Sequence, residues 1–231
     1  MQHVYEGKTK SVFKRDDGLY VLILKDDVTG ENGQIDPGAN NIMGELPGMG
    51  KASLKMSRYY FNLLNDRGVK THYVDSNIEE NSMIVKPAEF FGHGLEIICR
   101  FVAWGSFLRR YGKYCEAGQP LNGLVEVTIK DDDRGDPLIT DEALEQLGIM
   151  TLAEYHQVKE SAREIAEIIK ADLKTRDLKL YDIKFEFGRV DGEITLIDDI
   201  SGGNMRVFDA QDKQVGPLDL AELIIGEKSR I

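Results

Sequence analysis

Two stretches near the C-terminus place acidic side chains among apolar residues. In Leu180–Gly188 (LYDIKFEFG), Asp182, Lys184 and Glu186 alternate with apolar residues, so in a strand they share one face. The later stretch LIDDI places Asp198 and Asp199 between apolar residues, with no basic neighbour in sequence. Acids seldom occupy such strands unless they are paired or bind a metal. The pattern suits a Mg²⁺ ion held by carboxylate oxygens while it bridges nucleotide phosphates, and the alternative for the first strand is a solvated charged face over a core.

The turn between these two strands decides which acid joins Glu186. A two-residue turn at Asp191 and Gly192 places Asp199 on its face. A three-residue turn with Gly192 as a bulge places Asp198 there instead. The apolar pattern favours the two-residue turn, and either register puts two carboxylates on one surface.

The N-terminal segment YEGKTK is a second candidate for phosphate chemistry. Gly7 permits close approach of the backbone to a ligand, and Lys8 and Lys10, two residues apart, lie on one side of a strand. The segment is neither a Walker A nor a Rossmann motif. It fits a glycine-rich cover over phosphates, and the alternative is a hairpin with exposed lysines.

Two arginine-containing segments could bind anions. Arg100 ends an apolar strand, and Ser106 stands at a predicted helix start, where free N–H groups favour an anion. Arg206 follows paired glycines in SGGNMRVFD, and a guanidinium can grip a carboxylate or phosphate with two parallel bonds. The alternatives are an arginine paired with a surface acid and a flexible loop around Arg206.

The first ninety residues are predicted to be mainly β. Strands are expected at Leu19–Leu24, Thr71–Val74 and Ser82–Val85, with a helix from Ser53 to Asp66. Residues 26–50, rich in glycine and poor in periodicity, are interpreted as a long loop, which is often functional at that length.

The remaining residues mix helices and strands. An apolar strand is expected at Leu95–Val102, followed by a short helix that Gly105 and Ser106 open. The clearest helix runs from Thr151 to Leu173, where Thr151 and Glu154 form a capping box. A strand pair follows, with bounds Lys179–Phe187 and Glu193–Ile200. The fold class is therefore α+β, with a β-rich domain of residues 1–91 and an α/β domain of residues 92–231.

Composition limits the partners. Forty acidic and 29 basic residues among 231 give a net charge of −11, which disfavours nucleic acid and anionic membranes. The two cysteines, Cys99 and Cys115, are too few for a disulfide framework and indicate a reducing compartment. Neither an apolar leader nor a run of 18 apolar residues occurs. We expect a cytoplasmic protein without a membrane or nucleic-acid partner.

Taken in chain order, YEGKTKSVF, RFVAWGSFLRR, DIKFEFG and LIDDISGGNMRVFD resemble successive motifs of the SAICAR synthetase family (phosphoribosylaminoimidazole-succinocarboxamide synthase). The resemblance implies an N-terminal β-rich nucleotide-binding domain with a kinase-like glycine-rich cover and a larger α/β domain, with the ATP cleft between them. It implies ligation of carboxyaminoimidazole ribonucleotide to L-aspartate with ATP and Mg²⁺, through an acyl phosphate. A homodimer is typical of this resemblance.

The resemblance also implies roles for individual residues. Those implied to bind ATP are Gly7, Lys8, Lys10, Lys86 and Lys130. Those implied to bind the ribonucleotide are Arg100, Ser106 and Arg206. Those implied to act in catalysis are Lys184, Asp136 and Arg206. Those implied to hold Mg²⁺ are Glu186 and Asp198, so the resemblance selects Asp198, the acid that the three-residue turn would place there.

The chain departs from the family pattern at three places near the expected entry of the second substrate. Trp104 stands where a small residue is usual, Gly202 and Gly203 replace Pro-Asp, and residues 28–30 lack the usual Ser-Ala. Three alternatives therefore stay open: an ATP-dependent ligase with a different carboxylate or amine, a small-molecule kinase, and a regulatory protein that binds a nucleotide without turnover.

Overall fold

The computed structural model describes residues 1–31, 34–36 and 41–226. In chain order its elements are β1 (Gln2–Glu6), β2 (Lys10–Lys14), β3 (Tyr20–Leu24), β4 (Asp27–Glu31), β5 (Gln34–Ile35), β6 (Ile42–Glu45), α1 (Met49–Asn65), β7 (Tyr73–Asn77), β8 (Ser82–Val85), β9 (Glu89–Phe90), β10 (Leu95–Val102), α2 (Ser106–Tyr111), β11 (Pro120–Ile129), α3 (Asp141–Gln146), α4 (Leu152–Lys174), β12 (Lys179–Val190), β13 (Glu193–Ile197), β14 (Met205–Phe208) and α5 (Pro217–Ile225).

These strands form antiparallel sheets. The first sheet has the order β1-β2-β3-β8-β7, and a small sheet has the order β5-β4-β6. The second large sheet has the order β11-β10-β12-β13, and β9 and β14 also pair with β12. Strand β12 is thus the centre of this sheet, with β10 and β14 along its first half and β13 and β9 along its second half.

Alternation along β10 and β12 gives the second sheet an apolar face and a charged face. On the apolar face Ile97, Cys99, Ile183 and Phe185 are buried in the same hydrophobic cluster as the apolar stripe of α4. Each such side chain contributes about 1.5–3 kcal/mol by leaving water. Packing of α4 therefore fixes the sheet from one side and leaves the other face to the charged residues.

Several sequence predictions are confirmed. Strand β8 has the predicted bounds Ser82–Val85, and β10 has the predicted bounds Leu95–Val102. Helix α2 begins at Ser106, directly after Gly105, as expected. Helix α4 begins after Thr151, whose side chain accepts from the Glu154 N–H while the Glu154 side chain accepts from the Thr151 N–H.

The prediction of a structureless loop over residues 26–50 is wrong, because this segment contains β4, β5 and β6 and the first residues of α1. Helix α1 begins at Met49 rather than Ser53, because the Asp26 carboxylate accepts from the N–H groups of Gly48 and Gly50 at 3.0 and 2.8 Å. Part of the predicted loop, residues 32–33 and 37–40, lies outside the described residues.

Other bounds differ as well. The strand expected at Thr71–Val74 lies at Tyr73–Asn77. No local pattern in the sequence predicted β1, β9, β11, β14, α3 or α5. The alternative of a flexible loop around Arg206 is wrong, since β14 is a fully buried strand paired with β12. In the part of the chain that is described, no helix is both long and apolar enough to cross a membrane.

Helix α4 is joined to the second sheet by an ion pair that should make folding pH-dependent. Arg189 Nε donates to Glu154 Oε1 at 2.7 Å, and this bond lowers the pKa of Glu154 from 4.5 to about 2. Glu154→Gln keeps the capping geometry but removes the charge. We expect it to lower the free energy of unfolding by about 1 kcal/mol at pH 7.

A lowered folded-state pKa contributes stability above the unfolded value and loses it as the pH falls through the folded value. The difference between Glu154→Gln and the unchanged protein should therefore shrink from pH 4.5 towards pH 2. Urea unfolding at several pH values measures it, with Glu160→Gln on the exposed face of α4 as the control. A difference that stays constant between pH 7 and pH 3 would contradict this assignment.

Candidate active site

One face of the second sheet carries charged side chains that are largely buried. Its strands present Glu96 and Arg100 (β10), Glu126 (β11), Asp182, Lys184 and Glu186 (β12), and Arg206 (β14). Arg100 is 1% exposed and Asp182 is 3% exposed. A buried charge is costly unless it is paired and hydrogen-bonded. The contacts on this face are accordingly between opposite charges.

Arg100 and Arg206 are held close together by acids. Arg100 Nε donates to Glu126 Oε2 at 2.6 Å, and its Nη1 donates to Asp182 Oδ2 at 3.0 Å. Its Nη2 donates to Ser106 Oγ at 2.9 Å. Arg206 Nη1 donates to Asp182 Oδ2 at 2.8 Å. The structure thus brings together the three residues predicted to bind the ribonucleotide, and it adds two buried acids.

Glycine is required where α2 approaches these arginines. Gly105 has φ 54°, and a Cβ on it would lie 2.9 Å from Cζ of Arg206. Arg206 Nη2 also donates to Asp36 Oδ1 at 2.5 Å. Trp104 packs edge-on against Tyr181 and Phe208 rather than against these charges. The backbone turn at Gly105 therefore lets Ser106 reach the arginine cluster.

A second cluster joins lysines to the predicted metal ligands. Lys10 Nζ donates to Asp198 Oδ1 and to Asp199 Oδ1, each at 2.5 Å. Lys130 Nζ donates to Glu186 Oε1 at 2.7 Å. This cluster connects β2 of the first sheet to β12 and to the chain after β13, although Lys10 and Asp198 are 188 residues apart.

The pKa shifts show that these groups form one electrostatic unit. Burial raises the pKa of Glu186, and the neighbouring Asp198 carboxylate raises it further. Burial opposes ionisation of Asp198, but the ammonium groups of Lys10 and Lys130 hold its pKa well below its usual range. Burial also opposes the charge on Lys10, whereas Asp198 and Asp199 raise its pKa above the usual value. An ionised Asp198 therefore faces a protonated Lys10 at neutral pH, whereas burial and Asp198 both favour the neutral form of Glu186.

The hairpin between β12 and β13 explains how both acids reach Lys10. Its turn consists of Asp191 and Gly192, with φ 54° and 80°, so the two-residue turn is confirmed and the three-residue turn is wrong. Strand β13 ends at Ile197, earlier than the predicted Ile200, because Asp198 has φ 71° and leaves the strand conformation. This rotation, rather than the register, turns Asp198 towards Lys10.

Lys184 lies between the two clusters. Its Nζ donates to Glu96 Oε1 at 2.6 Å, and Thr128 Oγ1 donates to the other oxygen of Glu96 at 3.3 Å. Burial opposes the charge, but Glu96 and Glu186 raise the pKa of Lys184. Lys184 is therefore a fixed cation beside the acids.

The remaining predicted residues lie around this face with different contacts. The N–H of Gly7 donates to the Lys10 carbonyl at 2.8 Å, which closes the turn between β1 and β2. Lys8 forms an exposed ion pair with Asp132 at 2.6 Å. Lys86 is exposed just after β8, and its side chain forms no hydrogen bond or ion pair with the described residues.

Asp136 closes a turn after β11. Its Oδ1 accepts from the N–H of Asp131 at 2.8 Å, and its φ of 47° lies in the left-handed region. Asp136 lies six residues after Lys130 in the chain. Among the described residues, its side chain has no hydrogen bond or ion pair with either charged cluster.

Sequence reasoning missed several acids of the site. Glu96 and Glu126 are acids within apolar strands, the signal that singled out Asp198 and Asp199, and the same argument could have found them. Asp36 lay in the predicted loop, and no local pattern marks it. A cavity of about 60 Å³ lies beside Lys10, and residues that line it include Lys25, Asp27, Asp199, Ser201 and Asn204.

Comparison with known proteins identifies the family. The sequence model of SAICAR synthetase matches residues 3–220. The chain belongs to the SAICAR synthetase family. It is 52% identical over 227 residues to the phosphoribosylaminoimidazole-succinocarboxamide synthase of Clostridium tetani, covering 97% of this chain and 100% of the relative. The same-named protein of Pyrobaculum calidifontis is 37% identical, covering 90% and 82% of the two chains.

Solved structures of the family have the same fold. A SAICAR synthetase (Type-2) in complex with ADP superposes with a TM-score of 0.83 at 31% identity, covering 96% of this chain and 97% of that one. The SAICAR synthetase of Pyrococcus horikoshii has a TM-score of 0.80 at 29% identity, covering 94% and 98%. The predicted family, the α+β fold and the class of ATP-dependent ligase are thereby confirmed.

The two glycines that replace the expected Pro-Asp have different surroundings. A Cβ on Gly202 would lie 2.7 Å from Cα of Pro217 at the start of α5, whereas the nearest neighbour of a Cβ on Gly203 would be Ser201 Oγ at 3.4 Å. Gly202 is therefore required by the close approach of α5, and Gly203 is not.

We expect Gly202→Ala to lower the free energy of unfolding by about 1–3 kcal/mol, because α5 must move away from the segment after β13. The matched variant Gly203→Ala should stay within about 0.5 kcal/mol of the unchanged protein. Urea unfolding of both variants measures these values, and equal effects would contradict the packing described here.

Proposed function

We propose that this protein joins carboxyaminoimidazole ribonucleotide to L-aspartate, with conversion of ATP to ADP, in purine biosynthesis. The observation that carries this proposal is the charged face of the second sheet, where two buried arginines (Arg100, Arg206) lie on the same face as Glu186. Glu186 belongs to an acid–lysine cluster with Lys130, Lys10 and Asp198. The curated relatives, one of them 52% identical over nearly the whole chain, are named for this synthesis. The alternatives of a different ligase or of a kinase have no such support.

The chemistry explains why both clusters are needed. A carboxylate is a poor acyl donor because its leaving group would be oxide. Transfer of the γ-phosphoryl group of ATP to the carboxylate gives ADP and an acyl phosphate. The amine of aspartate then attacks the acyl carbon, forms the amide and releases phosphate. Such transfer depends mainly on positioning and on neutralisation of the phosphate charge. One cluster would supply the neutralisation and the other the positioning.

We place the nucleotide against Gly7, Lys8, Lys10, Lys86 and Lys130. A structural neighbour with 31% identity is described as a complex with ADP. Lys10 and Lys130 are already protonated and held beside the acids, so phosphate oxygens could exchange for part of their carboxylate contacts. Lys8 and Lys86 are exposed or partly exposed and could turn towards an incoming nucleotide with little loss of packing.

Glu186 and Asp198 fit a magnesium ion that phosphate oxygens also bind. Among the described residues, no group of three or more His, Cys, Asp or Glu side chains is arranged to hold a metal ion. Mg²⁺ usually needs only one or two protein carboxylates, because phosphate and water complete its octahedron. The structure shows no hydrogen bond from a described residue to Glu186 Oε2 or Asp198 Oδ2. When bound, the ion would offset phosphate charge.

We assign the ribonucleotide to Arg100, Ser106 and Arg206. The two guanidinium groups would bind its phosphate and its carboxylate, the acceptor of the phosphoryl group. Alignment of the reacting atoms within about 3–3.5 Å contributes several kcal/mol to such a reaction. Arg206 would thus act in catalysis by holding the acceptor, and Lys184 by offsetting charge on the transferred group.

Asp136 is proposed to orient or deprotonate the amine of aspartate. Its contact with the Asp131 N–H fixes one carboxylate oxygen, and the other would face the substrate. The aspartate KM and the rate of Asp136→Asn test this role, since unchanged values would remove it.

The division into domains of residues 1–91 and 92–231, the homodimer and the cytoplasmic location stay predictions.

Glu186→Gln tests the metal assignment. We expect ADP formation to fall by about 100-fold or more, because one carboxylate ligand is lost where phosphate charge must be neutralised. Folding should survive, since burial already disfavours the charge on Glu186. The Lys130 side chain is 43% exposed, so it can turn to solvent when its partner loses the charge. ADP release and thermal unfolding are measured together.

Glu193→Gln is the matched control, since Glu193 lies on the same hairpin but is 60% exposed and pairs with Lys70. It should leave the rate of ADP release unchanged. Turnover of Glu186→Gln close to that of the unchanged protein would remove Glu186 from the metal site.

A further inference from the structure

Arg100 and Arg206 share a buried acid. In the strand register, Arg100 of β10 lies opposite Asp182 of β12, and Asp182 lies opposite Arg206 of β14. The three side chains therefore form one row across three adjacent strands. Asp182 Oδ2 accepts from Nη1 of both arginines, at 3.0 and 2.8 Å, and its Oδ1 accepts from Arg206 at 3.0 Å.

This row sets the separation of the two guanidinium groups. Neighbouring strands lie about 4.8 Å apart, so β10 and β14 are separated by about 10 Å. Two long cationic side chains of 1% and 5% exposure converge across that gap. With no negative charge between them they would repel each other in a medium that screens poorly. A single carboxylate of 3% exposure removes that repulsion and ties both groups to β12.

The other partners of the arginines each hold one of them. Glu126 and Ser106 contact Arg100, and Asp36 contacts Arg206. Within the ranges that the structure describes, Asp182 is the residue that hydrogen-bonds both guanidinium groups. Because both oxygens of Asp182 face the arginines, its effect on a substrate would pass through them.

We propose that Asp182 is a positioning residue that fixes the spacing of Arg100 and Arg206 and thereby the fit of the two anionic groups of the ribonucleotide. This inference rests on the proposed function, which assigns the ribonucleotide to these arginines. Asp182 would thereby help to select the ligand, because a molecule fits only if its two anionic groups have the same separation as the two guanidinium groups.

Two variants of Asp182 separate charge from position. Asp182→Asn keeps the shape, but it offers one acceptor oxygen and an amide that faces a guanidinium. Asp182→Glu restores the charge one methylene further from β12. We expect the KM for carboxyaminoimidazole ribonucleotide to rise about tenfold or more in both, with the KM for ATP nearly unchanged, because charge-assisted hydrogen bonds to the arginines are lost or displaced.

Asp172→Asn is the matched control for the loss of an ion pair within the fold. Asp172 near the end of α4 is 14% exposed and pairs at 2.9 Å with Arg176, which follows the helix. Among the described residues it has no hydrogen bond or ion pair with the arginine row. It should lower the thermal unfolding temperature without changing either KM. If Asp182→Asn does not fold, Asp182→Glu carries the test, since it retains the negative charge between the arginines.

A double variant tests whether Asp182 acts through the arginines. Arg206→Ala alone should raise the ribonucleotide KM. Asp182→Asn should then raise this KM by a much smaller factor in the Arg206→Ala protein than in the unchanged protein. Full multiplication of the two effects, or a normal ribonucleotide KM in both Asp182 variants, overturns the inference. A normal ribonucleotide KM in Arg206→Ala and in Arg100→Ala overturns the proposed function, and the inference with it.

Discussion

Charged side chains buried on one face of a sheet must be paired, and this constraint organises the second sheet. Removing an ion from water is costly unless an opposite charge and hydrogen bonds replace the water. Strand β12 presents Asp182, Lys184 and Glu186 at alternate positions, and each has a partner of opposite charge. Strand β10 supplies the partners of the first two, and Lys130 just after β11 pairs with Glu186. The apolar face of the same strand packs with α4, so each pair is held at a fixed position in the sheet.

Under the proposed function, this pairing means that substrates would meet charges that are already compensated. Lysines hold the acids of one cluster, and acids hold the arginines of the other. An arriving phosphate or carboxylate would therefore exchange with a protein acid and would not need to order an unpaired cation. A chain with a net charge of −11 can in this way bind several anions, because the cations concentrate on one face.

Local signals in the sequence predicted much of the fold but little of how the site is assembled. The strand Leu95–Val102 and the capping box of Thr151 and Glu154 were predictable, because each depends on residues that are close together in sequence. The start of α1 was not, since its first N–H groups are bound by Asp26, more than twenty residues earlier. The contact of Lys10 with Asp198 joins residues 188 apart in sequence. It depends on the left-handed backbone conformation of Asp198, which the strand register does not predict. Residue types thus indicated the chemistry, whereas the pairing required the tertiary structure.

A crystal structure of the protein with ADP, Mg²⁺ and carboxyaminoimidazole ribonucleotide tests the exchange of charges most directly. We expect Lys10 on a phosphate oxygen, Glu186 and Asp198 on the ion, and both arginines on anionic groups of the ribonucleotide with Asp182 still between them. Phosphates bound away from Lys10, or a ribonucleotide that touches neither arginine, would contradict it.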